Sequence, residues 1–163
     1  FRYIKKSIDA VLDNFEGERH CELKLGLTED LEPCSFYAKD VWYRGIVDLL
    51  IINEEKDSGL IVDYKTGKHP DKADTDQLEL MSLAVFKHYP HIKKIKAGLI
   101  FLVKDTLVKA KYSSAQQDDL WVKWKEEINN VSICHANGVW NAIENFTCKK
   151  WCPVTNCIHN GKF

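Results

Sequence analysis

The segments GIVDLLII, residues 45–52, and GLIVDYKTGK, residues 59–68, decide the predicted fold. Each contains an apolar, largely β-branched run that is typical of a buried strand, and the polar residues 53–58 between them are typical of a turn. The two segments are therefore predicted to pair as an antiparallel hairpin. Each run also carries an acid that an ordinary buried strand lacks, Asp48 in the first and Asp63 in the second.

Lys65 follows Asp63 by two residues. Because side chains on a strand alternate between faces, Asp63 and Lys65 are predicted to share one face, with Tyr64 on the other. A divalent ion promotes phosphodiester hydrolysis because it neutralises the phosphate and ionises a water, and Mg²⁺ or Mn²⁺ prefers carboxylate oxygens. Asp48, Asp63 and Lys65 thus indicate a divalent-metal site with a cation beside it. The alternative is that Asp63 and Lys65 form an ion pair in solvent. Asp48 argues against it, because an unpaired carboxylate inside an apolar run is costly to bury.

The rest of the chain predicts an α/β fold with a central mixed sheet flanked by helices. Apolar spacing of 3.6 residues predicts helices at residues 1–15, 76–88 and from about Ser114 to Gly138. Further strands are predicted at residues 21–27, 97–104 and 107–112. With 163 residues, the chain is predicted to be one domain, residues 1–163, ending in a cysteine-rich segment at residues 148–163.

Composition excludes some classes of protein. A net charge of −1 argues against a surface coated with basic residues, although a local basic groove remains compatible with it. No apolar run approaches the ~20 residues that a membrane helix needs, so no membrane association is predicted. Scattered cysteines suit buried thiols in a reducing cytoplasm.

Gln77 opens the helix predicted at residues 76–88 and shares a stripe of that helix with Met81, Ala84 and His88. This position lies at the helix end nearest the loop that follows Asp63, which would bring the Gln77 amide near the metal site. The alternative is an exposed glutamine at a helix N-terminus.

Taken in order, Gly45-x-x-Asp48, Asp63-Tyr64-Lys65-Thr66-Gly67-Lys68 and Gln77-Leu78 resemble the motifs of the PD-(D/E)XK nuclease superfamily. The closest resemblance is to its RecB-like branch, which includes CRISPR-associated exonucleases and many phage exonucleases. It implies a restriction-endonuclease-like core in which Asp48, Asp63 and the backbone carbonyl of Tyr64 bind metal. It also implies that Lys65 is catalytic and that Gln77 lies in the site.

Two features depart from that family. Its glutamine motif carries a tyrosine where this chain has Met81, and its first motif, a His or Glu on a helix before the sheet, is absent from residues 1–15. Because Met81 is the only methionine, we expect further residues upstream that carry this ligand. Glu22 on the first predicted strand is the acid that would substitute for it, and the alternative for Glu22 is a solvent-facing strand residue.

Three of the six cysteines, Cys148, Cys152 and Cys157, fall within ten residues. Three cysteines separated by turn residues are suited to hold one soft metal ion or cluster. The resemblance implies an iron–sulfur cluster, with a fourth cysteine from upstream or from elsewhere in the chain. Zn²⁺ with His159 as a fourth ligand and three reduced thiols are the alternatives.

The resemblance therefore implies a DNA nuclease that depends on Mg²⁺ or Mn²⁺, most like an exonuclease that hydrolyses phosphodiester bonds at DNA ends. Its partners would be DNA and proteins of recombination or replication, in the cytoplasm of a bacterium or of a phage-infected host cell, and the branch suggests a phage origin. The alternatives are a non-catalytic nucleic-acid-binding domain on the same fold and a structure-specific endonuclease.

Overall fold

The computed structural model describes Ile8, Asp9 and residues 13–161. The helix predicted at residues 1–15 lies mostly outside the described residues. The described residues form a six-stranded sheet with two α-helices, α1 Asp76–His88 and α2 Gln117–Asn137. The strands are β1 Glu18–Leu27, β2 Pro33–Cys34, β3 Tyr43–Asn53, β4 Ser58–Lys65, β5 Lys94–Phe101 and β6 Thr106–Ser113. The predicted α/β fold with a mixed sheet is confirmed.

The strand order across the sheet is β2-β1-β3-β4-β5-β6. β3 and β4 form the predicted antiparallel hairpin, and the pairs run from Asn53↔Ser58 to Leu49↔Val62. β4 and β5 are parallel, from Ser58↔Lys94 to Lys65↔Phe101. A parallel pair needs a long crossover, and α1 supplies it. The other neighbouring strands are antiparallel.

Helix α1 follows the predicted bounds of residues 76–88. It buries Leu78 and the run from Ser82 to Phe86, and the hydroxyl of Ser82 donates to the carbonyl of Leu78 at 2.7 Å. At its C-terminal end, Nε2 of His88 lies 2.8 Å from the carbonyl oxygen of Gly26 in β1. This contact and the burial together hold the helix against the sheet.

The other face of the hairpin carries a separate apolar cluster. Leu49, Ile51, Val62 and Ile100 are its buried members, and Phe15 and Tyr64 are among the partly buried side chains that pack against it. Because Tyr64 belongs to this cluster, Asp63 and Lys65 on either side of it face the opposite way, as the alternation of a strand requires.

Several local predictions need correction. The strand predicted at residues 97–104 is β5, Lys94–Phe101, because residues 102–105 form the turn before β6. From the sequence, Ser113 or Ser114 is expected to cap the last helix, and Ser114 with Gln117 fits a capping box. In the structure Ser113 is the cap and its capping-box partner is Gln116, because a 3₁₀ turn at Ser114–Gln116 precedes α2. The sequence predicted no strand between residues 28 and 40, but β2 adds a two-residue pairing, Gly26↔Cys34 and Leu27↔Pro33. A strand of two residues is too short to leave a periodic signal.

The chain divides into two compact units, the first ending at Trp121 and the second beginning at Val122. The prediction that they form one nuclease domain stays a prediction. Within the second unit, the segment after α2 contains a 3₁₀ turn, Phe146–Lys149, capped by the side chain of Asn145. No described helix is both long enough and apolar enough to cross a membrane.

Candidate active site

Asp63, Lys65 and Gln77 form a closed set of contacts at the end of β4. The ammonium of Lys65 lies 2.8 Å from Oδ2 of Asp63 and donates to Oε1 of Gln77 at 2.6 Å. Nε2 of Gln77 in turn donates to Oδ1 of Asp63 at 2.5 Å. Asp63 is only 6% exposed, so its negative charge is stabilised by Lys65 and Gln77 rather than by bulk water.

The position of Gln77 follows from the crossover. The chain leaves β4 at Lys65, passes through a loop and begins α1 at Asp76, so the first turn of α1 lies over the end of β4. Gln77 is half-buried and bonded to both charged groups, which is the placement the motif order predicted. The alternative of an exposed N-terminal glutamine is wrong.

Asp48 reaches the same strand through the backbone. The β3–β4 pairs end at Leu49↔Val62, and beyond them the amide of Tyr64 donates to Oδ2 of Asp48 at 2.9 Å. The carboxylate thereby takes an N–H that would otherwise need a backbone partner. This bond fixes Asp48 beside the residue that separates Asp63 from Lys65.

Tyr64 separates the acids from the apolar cluster on the other face. Burial raises the pKa of its hydroxyl, and Cys21 and Asp48 raise that pKa further. The Tyr64 hydroxyl therefore stays protonated near neutral pH and adds no negative charge to the site.

Gly45 in the Gly-x-x-Asp motif has a steric role. A Cβ built there would lie 2.7 Å from the hydroxyl of Tyr43 and 3.2 Å from two of its ring carbons. The missing side chain leaves room for the Tyr43 ring, and burial raises the pKa of Tyr43 to about 12. Sequence reasoning did not identify Tyr43, although it lies two residues before Gly45 on β3 and so shares its face; only the structure shows that its ring covers Gly45.

Glu22 lies between the pairs Cys21↔Leu49 and Leu23↔Val47, which places it at the register position opposite Asp48. Its φ is 52°, in the left-handed region that non-glycine residues rarely adopt, and it is exposed. Among the described residues, no three His, Cys, Asp or Glu side chains are arranged to hold a metal ion, so Glu22 does not join Asp48 and Asp63 in such a group.

The two acids nevertheless fit a hard divalent cation. Oδ2 of Asp63 is buried and lies 2.8 Å from the Lys65 ammonium. The contact is an ion pair rather than an aligned hydrogen bond, and this oxygen has no hydrogen-bond donor among the described residues. One oxygen of Asp48 accepts the Tyr64 amide, which leaves its other oxygen as a ligand. Carboxylate oxygens from adjacent strands are the ligands that Mg²⁺ and Mn²⁺ prefer.

The cysteine-rich segment lies in the second unit. Cys148 is buried, whereas Cys152 and Cys157 are partly exposed. All three are described, yet the structure does not group their thiols for metal binding. The Nδ1 atom of His159, the alternative zinc ligand, lies instead 3.4 Å from a carboxylate oxygen of Glu144.

Comparison with known proteins gives a family and six matching chains among solved structures. The family model of the PD-(D/E)XK nuclease superfamily matches residues 3–157. None of the curated proteins matches the chain. Among solved structures, "Crystal structure of SSO0001" is similar with a TM-score of 0.44 and 14% identity, over 95% of this chain and 67% of that one. A likeness at that level carries no argument about activity.

Because the family model spans most of the sequence, the chain belongs to the PD-(D/E)XK nuclease superfamily. Membership implies a nuclease, and the mixed sheet is consistent with the core of this superfamily.

Proposed function

We propose that this protein is a DNA nuclease that depends on Mg²⁺ or Mn²⁺ and acts as an exonuclease at DNA ends. The observation that carries the proposal is the closed contact between Asp63, Lys65 and Gln77, with Asp48 bonded to the intervening Tyr64 amide. An acid, a cation and an amide in mutual contact within a superfamily of nucleases are the groups that phosphodiester hydrolysis uses.

Each residue then has a role. Asp48 and Asp63 would hold the ion with the backbone carbonyl of Tyr64, and Glu22 is a further candidate ligand. The bound ion would neutralise the phosphate and ionise a water. Lys65 places its ammonium where negative charge develops on the phosphate oxygens. Gln77 positions both Lys65 and Asp63, since it donates to one and accepts from the other.

The proposal extends to the setting of the enzyme. The motif order resembles that of the RecB-like branch, and this resemblance supports exonuclease action, DNA as the substrate, a phage origin and partner proteins of recombination or replication. Six free cysteines support a reducing cytoplasm.

A nuclease assay tests the proposal. The protein is incubated with linear and circular DNA, single- and double-stranded, with Mn²⁺, with Mg²⁺ or with EDTA. We expect linear DNA to be shortened with either ion and to survive in EDTA, while circular DNA resists. Nicking or linearisation of the circles would identify an endonuclease, and inertness of every substrate with both ions would overturn the enzymatic reading.

A non-catalytic nucleic-acid-binding domain is the second candidate, and one observation favours it. Met81 stands where the family's glutamine motif has a tyrosine, so a DNA-contacting hydroxyl is missing. In that case the same assay leaves all DNA intact while a gel-shift experiment still detects a complex.

For the cysteine-rich segment, we propose a bound iron–sulfur cluster, with Zn²⁺ as the alternative. The support is the spacing of Cys148, Cys152 and Cys157 together with the backbone closure of the segment, in which the amide of Gly161 donates to the carbonyl of Cys148 at 2.9 Å. Anaerobic purification followed by absorbance and metal analysis distinguishes the cases. Brown protein with iron and sulfide supports the cluster, colourless protein with one zinc supports the alternative, and metal-free protein refutes both.

A further inference from the structure

A second set of side chains lies on the strands that lead to the candidate active site. Contacts link Lys24 on β1 to Tyr37, Tyr37 to Phe36, and Phe36 to Arg44 on β3, where Phe36 and Tyr37 lie in the connection between β2 and β3. The ammonium of Lys24 donates to the Tyr37 hydroxyl at 2.7 Å, and Nε of Arg44 donates to the carbonyl of Phe36 at 2.8 Å. We call these four residues the aromatic–basic platform.

The two rings and the two cations form one surface. The rings of Phe36 and Tyr37 meet edge to face, with centroids 5.1 Å apart. The Lys24 ammonium lies 5.1 Å from the Tyr37 centroid, and the Arg44 guanidinium carbon lies 5.8 Å from that of Phe36. Such cation–π contacts orient the positive groups along the rings.

The exposure of an aromatic ring next to two cations distinguishes this surface from most loops. Tyr37 is 72% exposed although it is a large aromatic residue. Within the described residues, neither Lys24 nor Arg44 has an acidic partner among the ion pairs. An exposed ring beside two cations that form no direct ion pair with a described residue offers stacking and phosphate binding together, which is the combination that single-stranded nucleic acid requires.

The loop that carries the rings is fixed before any ligand arrives. The amide of Ala38 donates to the carbonyl of Ser35 at 2.9 Å, and the amide of Trp42 donates to the carbonyl of Leu27 at 2.8 Å. These bonds close the turn around Phe36 and Tyr37 and tie its far end to β1. A ligand therefore meets a preorganised ring, which lowers the entropic cost of binding.

The platform lies close to the candidate active site along the chain. Arg44 and Asp48 are four residues apart on β3, which corresponds to about 13 Å of extended strand. A nucleic-acid strand a few nucleotides long spans that distance.

We propose that the aromatic–basic platform holds a single-stranded segment of the nucleic-acid substrate beside the candidate active site. A base stacks on Tyr37, and Lys24 and Arg44 contact the backbone phosphates on either side of it. The inference rests on the proposed function for the identity of the strand as DNA. It adds that the substrate is single-stranded at this point.

Binding measured without metal tests the platform separately from cleavage. Fluorescence anisotropy is recorded in EDTA with a fluorescein-labelled 20-nucleotide oligothymidylate and with an abasic strand of the same length. Tyr37→Ala should weaken binding of the oligothymidylate roughly 5- to 100-fold, because stacking is lost. Tyr37→Phe should restore most of the affinity, and the abasic strand should be bound equally by wild type and Tyr37→Ala.

The cations are tested by salt dependence. Lys24→Gln and Arg44→Gln should each lower the slope of log affinity against log salt by about 0.7, which is the value for one phosphate contact on a single strand. The matched control is Lys104→Gln, an exposed lysine outside the platform, which should leave affinity and slope unchanged.

Two results would overturn the proposal for the platform. In the first, Tyr37→Ala binds the oligothymidylate with the affinity of the wild type. In the second, polyglutamate displaces the labelled strand as effectively as unlabelled oligothymidylate does. The second result would identify an acidic polypeptide as the partner. If binding depends on Tyr37 while no DNA is ever cleaved, the platform stands and the proposed nuclease fails. Circular dichroism of each variant checks that the exposed substitutions leave the fold intact.

Discussion

The candidate active site and the cysteine-rich segment, described over residues 148–161, are both groups of ligand-type residues, but they are held together differently. In the active site, the side chains of Asp63, Lys65 and Gln77 contact one another directly. In the cysteine-rich segment, the contacts are mostly to backbone: Asn160 donates to the carbonyls of Cys152 and Val154, both at 3.1 Å.

The two regions also differ in the core behind them. The active site stands on strands whose residues Leu50 and Ile61 are fully buried. The cysteine-rich segment leaves its large apolar side chains exposed, with Trp151 at 78%, Val154 at 56% and Ile158 at 73%. A sheet positions side chains whether or not a ligand is bound, whereas a segment with so little apolar burial needs a metal, or another source of free energy, to hold one arrangement.

The largest expected effect concerns the side-chain network. Lys65→Ala should reduce the rate of DNA cleavage by about 10²- to 10³-fold, because it removes a preorganised cation from the developing phosphate charge. Single-turnover cleavage in Mn²⁺ measures the loss. Lys104→Ala, an exposed lysine in the turn before β6, is the control and should cleave normally. A rate for Lys65→Ala within threefold of wild type would remove Lys65 from the mechanism.

The next effect tests whether the cysteine-rich segment depends on metal. If Cys148, Cys152 and Cys157 hold an ion, a free concentration one hundred times its Kd stabilises the fold by about 2.7 kcal/mol. Thermal unfolding before and after removal of metal by a chelator measures this difference. The triple variant with all three cysteines changed to Ser should match the chelated protein and should not respond to the chelator. An unchanged Tm in chelated wild type would show that the segment needs no metal.

Gln77 forms hydrogen bonds with both Lys65 and Asp63, and Gln77→Leu should remove both. We expect the free energy of unfolding to fall by about 1–2 kcal/mol, because a buried carboxylate oxygen loses its donor. Cleavage should slow about tenfold through misplacement of Lys65. Urea denaturation and single-turnover kinetics are the measurements. Gln116→Leu, which removes the capping-box glutamine before α2, tests whether any lost glutamine bond has the same effect on cleavage. If both variants slow cleavage equally, Gln77 has no special place in the site.

Gly45 tests the steric fit of the Tyr43 ring in the Gly-x-x-Asp motif. Gly45→Ala would place a methyl group against Tyr43 and should cost about 1–2 kcal/mol of stability through overpacking. In Tyr43→Leu the ring is absent, so the added methyl group should cost less than half as much. Equal costs in the two backgrounds, measured as a double-mutant cycle in urea, would show that Tyr43 is not what Gly45 accommodates.

The smallest effect is the titration of Tyr43. Its pKa is raised by burial from 10.0 to about 12, so the folded state retains a proton that the unfolded state loses between these values. The stability from this group is fully present below pH 10 and is lost as pH rises toward 12. Urea denaturation at pH 9, 10 and 11 should show a smaller decline in Tyr43→Phe than in wild type. Parallel declines would place the Tyr43 hydroxyl in water.

The sequence predicted the parts of the site that depend on local periodicity. Alternation along β4 places Asp63 and Lys65 on one face and Tyr64 on the other, and the packing of Tyr64 against Val62 agrees with it. The bounds of α1 followed from helical spacing between the loop after β4 and Pro90. These inferences succeed because a strand repeats every two residues and a helix every 3.6, so the sequence carries the face directly.

The aromatic–basic platform had no such signal. Lys24, Phe36, Tyr37 and Arg44 come from two strands and a loop, and no spacing in the chain relates them. Their contact depends on β1 pairing with β3 so that Gly26 lies opposite Arg44 and Lys24 opposite Ile46. The left-handed backbone at Glu22 was equally invisible, because its glutamate is not a residue that favours positive φ.

By itself, the sequence determined the class of fold, the order of the nuclease motifs and the residues that carry the acid, the cation and the amide. Only the tertiary structure decided that Gln77 closes the contact between Asp63 and Lys65 and that Asp48 bonds the Tyr64 amide. The physical reason is that periodicity assigns a side chain to a face, whereas a contact between two elements depends on register and crossover geometry. Those are set by the packing of the whole sheet.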